Sequence, residues 1–138
     1  EYAIYLKRIV EELDLQANVS FTGFVSNPSE IIAGLDLLIA PSSRDAFGRS
    51  IIEAMLQTTP VLVANKGGHL EIVEDELDGS LYIANCQNNF IEKTLRLSHD
   101  NPFREALAVR ALENSRSKYS KNNLLSEVGK IYKSVLKY

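Results

Sequence analysis

The sequence has 138 residues, a length that fits one domain with a single hydrophobic core. Hydrophobic residues make up 45% and charged residues 24% of the chain, which is typical of a globular protein and excludes a fibrous or disordered one. The net charge of −3 provides no basic surface for a phosphate backbone, so nucleic acid is a poor candidate partner.

The first third of the chain predicts a helix, a strand and a second, short helix. The apolar side chains from Tyr5 to Leu13 follow helical spacing without a capping residue before them, so we expect the chain to begin inside a helix. Residues 19–24 alternate apolar with small or polar side chains, which predicts a strand that ends at Gly23. Asn27 and Pro28 are typical of a helix start.

The rest of the chain alternates strands with helices. Residues 36–41 and 60–64 are apolar runs expected of strands buried on both faces of a parallel sheet, and residues 81–84 predict a weaker strand. Helical patterns are predicted at residues 48–57, 90–99, after the Asn101-Pro102 start signal, and at 124–135, with a short segment at 67–73. This order predicts an α/β fold, a Rossmann-like doubly wound parallel sheet with helices on both faces.

The loop after Pro41 is the first candidate site, because ligands bind beyond the carboxyl ends of parallel strands. It leads through Gly48 into a helix whose first backbone amides and dipole suit a diphosphate. Asp45 precedes the turn and Glu53 lies inside the helix, so two carboxylates that can accept hydrogen bonds from sugar hydroxyls flank this loop. On spacing alone, the commoner explanation is a loop aspartate that caps the helix and an exposed glutamate that complements the helix dipole.

Short motifs along the chain resemble the C-terminal domain of family 4 glycosyltransferases. They are Pro41-Ser42, Asp45, Phe47-Gly48, Glu53-Ala54-Met55, Pro60-Val61, Gly67-Gly68, Glu71-Ile72-Val73 and Asp78-Gly79. The resemblance implies the GT-B architecture, in which two Rossmann-like domains face a cleft and the C-terminal one binds a UDP-, GDP- or ADP-sugar without a metal. Residues 1–138 would be that C-terminal domain, incomplete at its N-terminus, without its first strand and helix and without the N-terminal acceptor domain.

The resemblance also assigns roles to individual residues. The family's acidic pair falls on Asp45, which would hold donor-sugar hydroxyls, and on Glu53, which would hold the ribose. Phe47, Gly48 and the next amides, including that of Arg49, would contact sugar and phosphate oxygens through the backbone. The Arg49 side chain is also a candidate phosphate contact, although an exposed helix arginine is the commoner role.

A further stretch is implied to line the nucleotide base. Gly23, Phe24 and Val25 match the family segment that does so, mainly through backbone groups, while a core position is the alternative for Phe24. The chain departs from the family pattern where Asp45 replaces a glutamate and where Thr58 replaces the glycine that ends the helix, so the helix is expected to end differently. The family's basic residues that neutralise the leaving diphosphate have no match in this chain.

The single cysteine and the two histidines do not form a recognisable disulfide or metal site. Cys86 is the only cysteine, so no disulfide within the chain is expected, and His69 and His99 do not have the spacing of a zinc site. His69 follows Gly67-Gly68 and could line the site, although a surface turn residue is the commoner role. No apolar run reaches the roughly 20 residues that span a bilayer, so we expect a cytoplasmic protein, with the inner face of the membrane as a peripheral location.

Together these patterns predict a retaining glycosyltransferase in the full-length protein. It would transfer a sugar from a nucleotide diphosphate-sugar to a hydroxyl of a sugar or glycolipid acceptor, in glycan or polysaccharide biosynthesis, with this chain supplying the donor site. A nucleotide-sugar 2-epimerase of the same architecture and a non-catalytic nucleotide-binding or interaction module are the alternatives.

Overall fold

The structure is a computed structural model that describes residues 1–42 and 46–136. Within these residues the helices and strands alternate along most of the chain. They are α1 (Tyr2–Glu12), α2 (Pro28–Ala33), β1 (Leu38–Ala40), α3 (Arg49–Leu56), β2 (Val61–Ala64), α4 (His69–Ile72), β3 (Ser80–Tyr82), α5 (Gln87–His99), α6 (Asn101–Lys118) and α7 (Lys121–Val135).

The strands form a parallel sheet in the order β1-β2-β3. Leu38 of β1 lies opposite Val61 of β2, and Leu62 lies opposite Ser80 of β3. All four residues of β2 are buried, as the apolar run at residues 60–64 predicts for a central strand. Because the strands run parallel with helices between them, the predicted Rossmann-like α/β fold is confirmed.

The two faces of β2 belong to two separate hydrophobic clusters. Val61 and Val63 pack with side chains of α2, α3, α4 and Ala111 of α6 on one face. Leu62 packs on the other face with Leu97 of α5 and Leu107 of α6. Successive side chains of a strand point to opposite faces, so helices are needed on both sides to bury this run. The predicted placement of helices on both faces is therefore confirmed.

The predicted strand at residues 19–24 is wrong. In the structure these residues form no part of the sheet, and Phe21 is 44% and Phe24 95% exposed. A strand forms only where a neighbouring strand accepts and donates its backbone hydrogen bonds, and in the described residues β1 pairs with β2 alone. The alternating pattern indicated a local preference for extended backbone but could not supply that partner.

Helix α3 ends in the arrangement that a glycine usually allows, although Thr58 stands there. Thr58 has φ of 60°, its amide donates to the Met55 carbonyl, and the Thr59 amide donates to the Ala54 carbonyl. These two bonds form a Schellman motif, with Gln57 as the C-cap. The expectation that the helix ends differently is therefore wrong, because the hydrogen bonds and the burial of Thr59 hold the left-handed conformation.

Candidate functional site

The N-terminus of α3 lies just beyond the carboxyl end of β1, where the sequence places the candidate site. Gly48 is the N-cap, with φ of 72°, and the Ile51 amide donates to its carbonyl. A Cβ at Gly48 would lie 2.9 Å from Ile51 Cδ1, so both the conformation and the space favour glycine there. Asp45, the predicted ligand of the donor sugar, lies outside the described residues, as do Ser43 and Arg44.

The charges around this helix start favour an anion. Arg49 occupies the first helical position and is exposed, and the first turn contains no acidic residue. A cation at the positive end of a helix dipole is unfavourable by itself, so a bound anion would relieve the repulsion. The exposure of the Arg49 side chain agrees with both interpretations made from the sequence, an exposed helix arginine and a phosphate contact.

Glu53 lies one turn further along α3 and is partly exposed. Its Oε1 atom is 3.9 Å from the Arg49 guanidinium, and the two side chains are 41% and 84% exposed. At this distance and exposure the ion pair is weak, and it leaves the carboxylate accessible to hydroxyl donors. The assignment of Glu53 to the donor ribose stays a prediction.

Phe47 is half-exposed and is supported from the C-terminal side of the fold. Its ring meets Tyr119 edge-on, with the ring centroids 6.4 Å apart, a favourable aromatic geometry. Tyr119 is the C-cap of α6, and the Lys118 ammonium group next to it donates a hydrogen bond to the Glu71 carbonyl. The end of α6 is thus joined both to the candidate loop and to α4.

The turn before α4 packs directly against the candidate loop. A Cβ at Gly68 would lie 2.4 Å from the Ala46 carbonyl oxygen and 3.0 Å from Phe47 Cα, so only glycine permits this backbone approach. The next residue, His69, is 0% exposed, and its Nδ1 atom is 3.0 Å from the Ala64 carbonyl oxygen. The interpretation of His69 as a surface residue is wrong, because the imidazole is buried between the Ala64 carbonyl and Gly48.

The sequence also offers a second interpretation, in which His69 after Gly67-Gly68 lines the site, and this stays a prediction. The available signal was the glycine pair that follows a buried strand and precedes a helix, a place where backbone segments approach each other closely. The same pair is also one of the motifs that carry the family resemblance.

The segment predicted to line the nucleotide base precedes α2, and α2 packs against α3. Gly23 has φ of 65°, Phe24 is almost fully exposed and Val25 is partly buried. The alternative interpretation of Phe24 as a core aromatic is therefore wrong in this structure. The assignment of these three residues to base binding stays a prediction.

A pocket of about 260 Å³ opens at the same carboxyl edge of the sheet, between Pro41 and the start of α5. Cys86 and Phe90 line it, and the Phe90 ring packs edge-on against Tyr82. Burial raises the pKa of the Tyr82 hydroxyl above its usual value. Within residues 1–42 and 46–136, no group of three or more His, Cys, Asp or Glu side chains is placed to hold a metal ion.

No helix in the described part of the chain is long and apolar enough to cross a bilayer.

Comparisons with known proteins agree with this arrangement. The family model for glycosyl transferases group 1 matches residues 1–114. An uncharacterized glycosyltransferase of Methanocaldococcus jannaschii, MJ1607, is 30% identical over 131 residues, which are 94% of this chain and 34% of that protein. A poly(ribitol-phosphate) alpha-N-acetylglucosaminyltransferase of Staphylococcus aureus is 27% identical over 123 residues, 88% of this chain and 25% of the relative.

The fold is also similar to solved structures. The crystal structure of Anabaena Alr3699/HepE in complex with UDP has a TM-score of 0.90 and 25% sequence identity, and the match covers 96% of this chain and 37% of that one. The chain thus spans between a quarter and just over a third of the length of these relatives and structural neighbours.

Proposed function

The chain belongs to the group 1 glycosyltransferases, and on that premise we propose that it is the donor-binding part of a GT-B enzyme that transfers sugar to an acceptor hydroxyl. One observation carries this proposal above the others. The uncapped, positively charged N-terminus of α3 opens at the carboxyl edge of the parallel sheet, with Arg49 beside it. That combination matches what a nucleotide diphosphate requires from a protein.

In the proposed complex the diphosphate lies at the start of α3. Backbone amides of the first turn, with about half a positive charge from the helix dipole, would hydrogen-bond the phosphate oxygens. Because Gly48 has no side chain, a phosphate can approach these amides closely. The Arg49 guanidinium would add a charge-assisted contact, although its pairing with Glu53 is too weak to fix it in advance.

The acidic residues would orient the sugars on either side of the diphosphate. Glu53 follows Arg49 by four residues, so its Cα lies about 6 Å along the helix axis, within reach of ribose hydroxyls. Asp45 is proposed to accept hydrogen bonds from the donor sugar. Its side chain is one methylene shorter than the glutamate of related enzymes, so a different sugar preference is expected.

We propose UDP-sugars as the first donors to test. The structural neighbour HepE is described in complexes with UDP and with UDP-glucose, and its match covers 96% of this chain. The base would contact Gly23, Phe24 and Val25. Donor binding is proposed to need no metal, because the helix N-terminus and the Arg49 side chain would offset the phosphate charge.

The chemistry proposed is transfer with retention of the anomeric configuration. As the bond between the anomeric carbon and the diphosphate breaks, negative charge grows on the phosphate oxygen that leaves. The fixed amides at the start of α3 would stabilise this charge more in the transition state than in the bound donor, which is the source of rate enhancement. The acceptor oxygen would form the new bond to the anomeric carbon on the side that the leaving nucleoside diphosphate vacates, and the hydroxyl proton would pass to an oxygen of that diphosphate.

The acceptor is proposed to bind to a second domain, outside this chain. The apolar faces of α1 and α7 are exposed, with Ile4 73%, Tyr132 64% and Ile131 63% exposed. The outer edge of β1 has no partner strand in the described residues, so it can pair with a further strand. We therefore propose that residues 1–138 form a C-terminal domain completed by a strand and helix upstream.

The acceptor class is proposed as a sugar, glycolipid or polysaccharide at the cytoplasmic face of the membrane. The relative from Staphylococcus aureus is named for transfer to poly(ribitol-phosphate), and another relative there is named for capsular polysaccharide biosynthesis. These names motivate the class of acceptor to be screened, not one compound.

The test is calorimetric titration of UDP, GDP and ADP, and of their sugar conjugates, into the native polypeptide that contains this chain. We expect saturable binding of one nucleotide, weakened by Glu53→Ala roughly tenfold through loss of the ribose contacts. Glu92→Ala, an exposed glutamate on α5, is the matched control. No binding of any nucleotide would contradict the proposal, and conversion of the free donor to an epimer would assign the epimerase activity instead.

A further inference from the structure

A buried histidine lies directly beneath the proposed diphosphate site. His69, the first residue of α4, is 0% exposed although it follows two glycines in a turn. The preceding residue, Gly68, brings this turn into backbone contact with Ala46 and Phe47 of the candidate loop. The imidazole is therefore enclosed between the end of β2 and the start of α3.

The orientation of the imidazole is set by the end of β2. Its Nδ1 atom lies 3.0 Å from the Ala64 carbonyl oxygen, which can only accept a hydrogen bond. Nδ1 therefore carries a proton and donates it to this bond. Since β2 is the buried central strand, this hydrogen bond fixes the ring to the centre of the sheet.

The opposite edge of the same ring faces the N-cap of α3. A Cβ at Gly48 would lie 3.3 Å from His69 Cδ2, so the ring fills the space beneath this glycine. Ile51 and Ile72 approach Gly48 from the sides, at 2.9 and 3.4 Å from the same point. His69 thus separates the N-cap from the end of β2 by the width of one imidazole.

We propose that His69 is a positioning residue for the donor diphosphate. Its ring holds Gly48, and through it the first amides of α3, at the distance from β2 at which they bind phosphate. The inference rests on the proposed function, because it assigns His69 a role in that same site. Fixed donors bind an anion more tightly than mobile ones, since less conformational entropy is lost on binding.

Two substitutions distinguish the contribution of the His69 ring from that of its hydrogen bond to Ala64. In His69→Asn the side-chain amide can still donate to Ala64, but the space beneath Gly48 is left unfilled. In His69→Phe the ring is kept and the donor is lost, while the Ala64 carbonyl still accepts from the Lys66 amide. We expect the asparagine variant to bind UDP about tenfold more weakly and the phenylalanine variant to recover most of that loss.

The measurements are the UDP dissociation constant, the donor KM and kcat of the native polypeptide, and amide hydrogen exchange at residues 48–50 without ligand. Leu97→Ala is the control, because Leu97 is buried on the opposite face of the sheet. It should lower Tm at least as much as His69→Asn while leaving the UDP dissociation constant of the folded protein unchanged. In His69→Asn exchange should be faster, the donor KM higher and the acceptor KM unchanged.

The outcomes separate this inference from the proposed function. A folded His69→Asn variant with unchanged UDP affinity and unchanged exchange at residues 48–50 overturns the inference alone. A wild-type protein that binds no nucleotide overturns the proposed function, whatever the exchange rates are. Equal weakening of UDP binding by Leu97→Ala would assign the effect to general stability and would also overturn the inference.

Discussion

The helices at the two ends of the chain and helix α3 in the middle have the same kind of sequence pattern but differ in burial. Helices α1, α3 and α7 are all amphipathic. Four residues of α3 are buried, namely Ile51, Ile52, Ala54 and Met55, whereas α1 and α7 have no buried residue. The difference shows that an apolar stripe predicts a helix that can pack, while burial depends on what lies opposite it.

The neighbours of each helix explain this difference. Helix α3 packs against β1, β2, α2 and α6, so its apolar face is surrounded. Helix α1 contacts mainly the chain that follows it. For example, the Lys7 ammonium group lies 5.8 Å from the Phe21 ring centroid. Stability should therefore be concentrated between α2 and α6, and substitutions at the ends should have little effect.

The largest expected difference is between a leucine in the sheet and one in α7. Leu62 is 0% exposed in β2 and Leu125 is 60% exposed. Leu62→Ala should lower the free energy of unfolding by about 2–5 kcal/mol, because it leaves a cavity, while Leu125→Ala should change it by less than about 0.5 kcal/mol. Chemical denaturation of both variants tests this. Comparable losses would show that α7 is packed in solution and would break the comparison.

Two glycines sharpen the comparison within the packed region. Gly68→Ala should cost about 1–3 kcal/mol, because the methyl group would meet the Ala46 carbonyl at 2.4 Å. Gly34→Ala is the matched control, since its nearest neighbour beyond the adjacent residues would be at 3.6 Å and neither glycine has a positive φ. Thermal unfolding of both variants provides the measurement, and a Gly68→Ala protein as stable as wild type would contradict the close approach of the two turns.

A substitution at Thr58 should stabilise the packed region. This exposed residue has φ of 60°, which a β-branched side chain adopts at a cost, and glycine removes that strain. Thr58→Gly is expected to raise the free energy of unfolding by about 1 kcal/mol. The check is the denaturation midpoint, with Thr22→Gly, in the exposed segment at residues 19–24, as the control that should give no gain.

The smallest effect is expected at the ion pairs that Glu76, which precedes β3, forms with Lys93 and Arg96 of α5. Hydrogen bonds from Lys93 and then Arg96 hold the pKa of Glu76 below its usual value. A lowered carboxyl pKa stabilises the fold above the unfolded pKa, and this contribution disappears as pH falls through the folded pKa. Glu76→Gln should therefore cost less than about 1 kcal/mol at pH 7, and the difference from wild type should vanish in acid.

That pH dependence can be measured by denaturation between pH 7 and pH 3, at low and high salt. Screening by salt should reduce the effect of Glu76→Gln, because the Glu76 side chain is 44% exposed. A difference that grows as the pH falls would contradict the sign of the pKa shift.

The candidate site was predictable where one segment of chain forms it. The buried run before Pro41, the glycine at residue 48 and the helical spacing after it place a strand, a turn and a helix N-terminus in order, and the structure has them so. Burial of His69 was not predictable, since its ring lies against Gly48, more than twenty positions earlier. The prediction of a strand at residues 19–24 was wrong for a related reason, because a strand needs a neighbouring strand that a local pattern does not supply.

The sequence by itself determined the alternation of strands and helices, the central place of β2 and the turn that opens the candidate site. These follow from the periodicity of apolar side chains and from the backbone preferences of proline and glycine, which act within a few residues. Only the tertiary structure decided which apolar faces are buried, that Thr58 holds a left-handed conformation and that His69 lies beneath Gly48. Such outcomes depend on contacts between segments far apart in sequence, whose energies no local pattern contains.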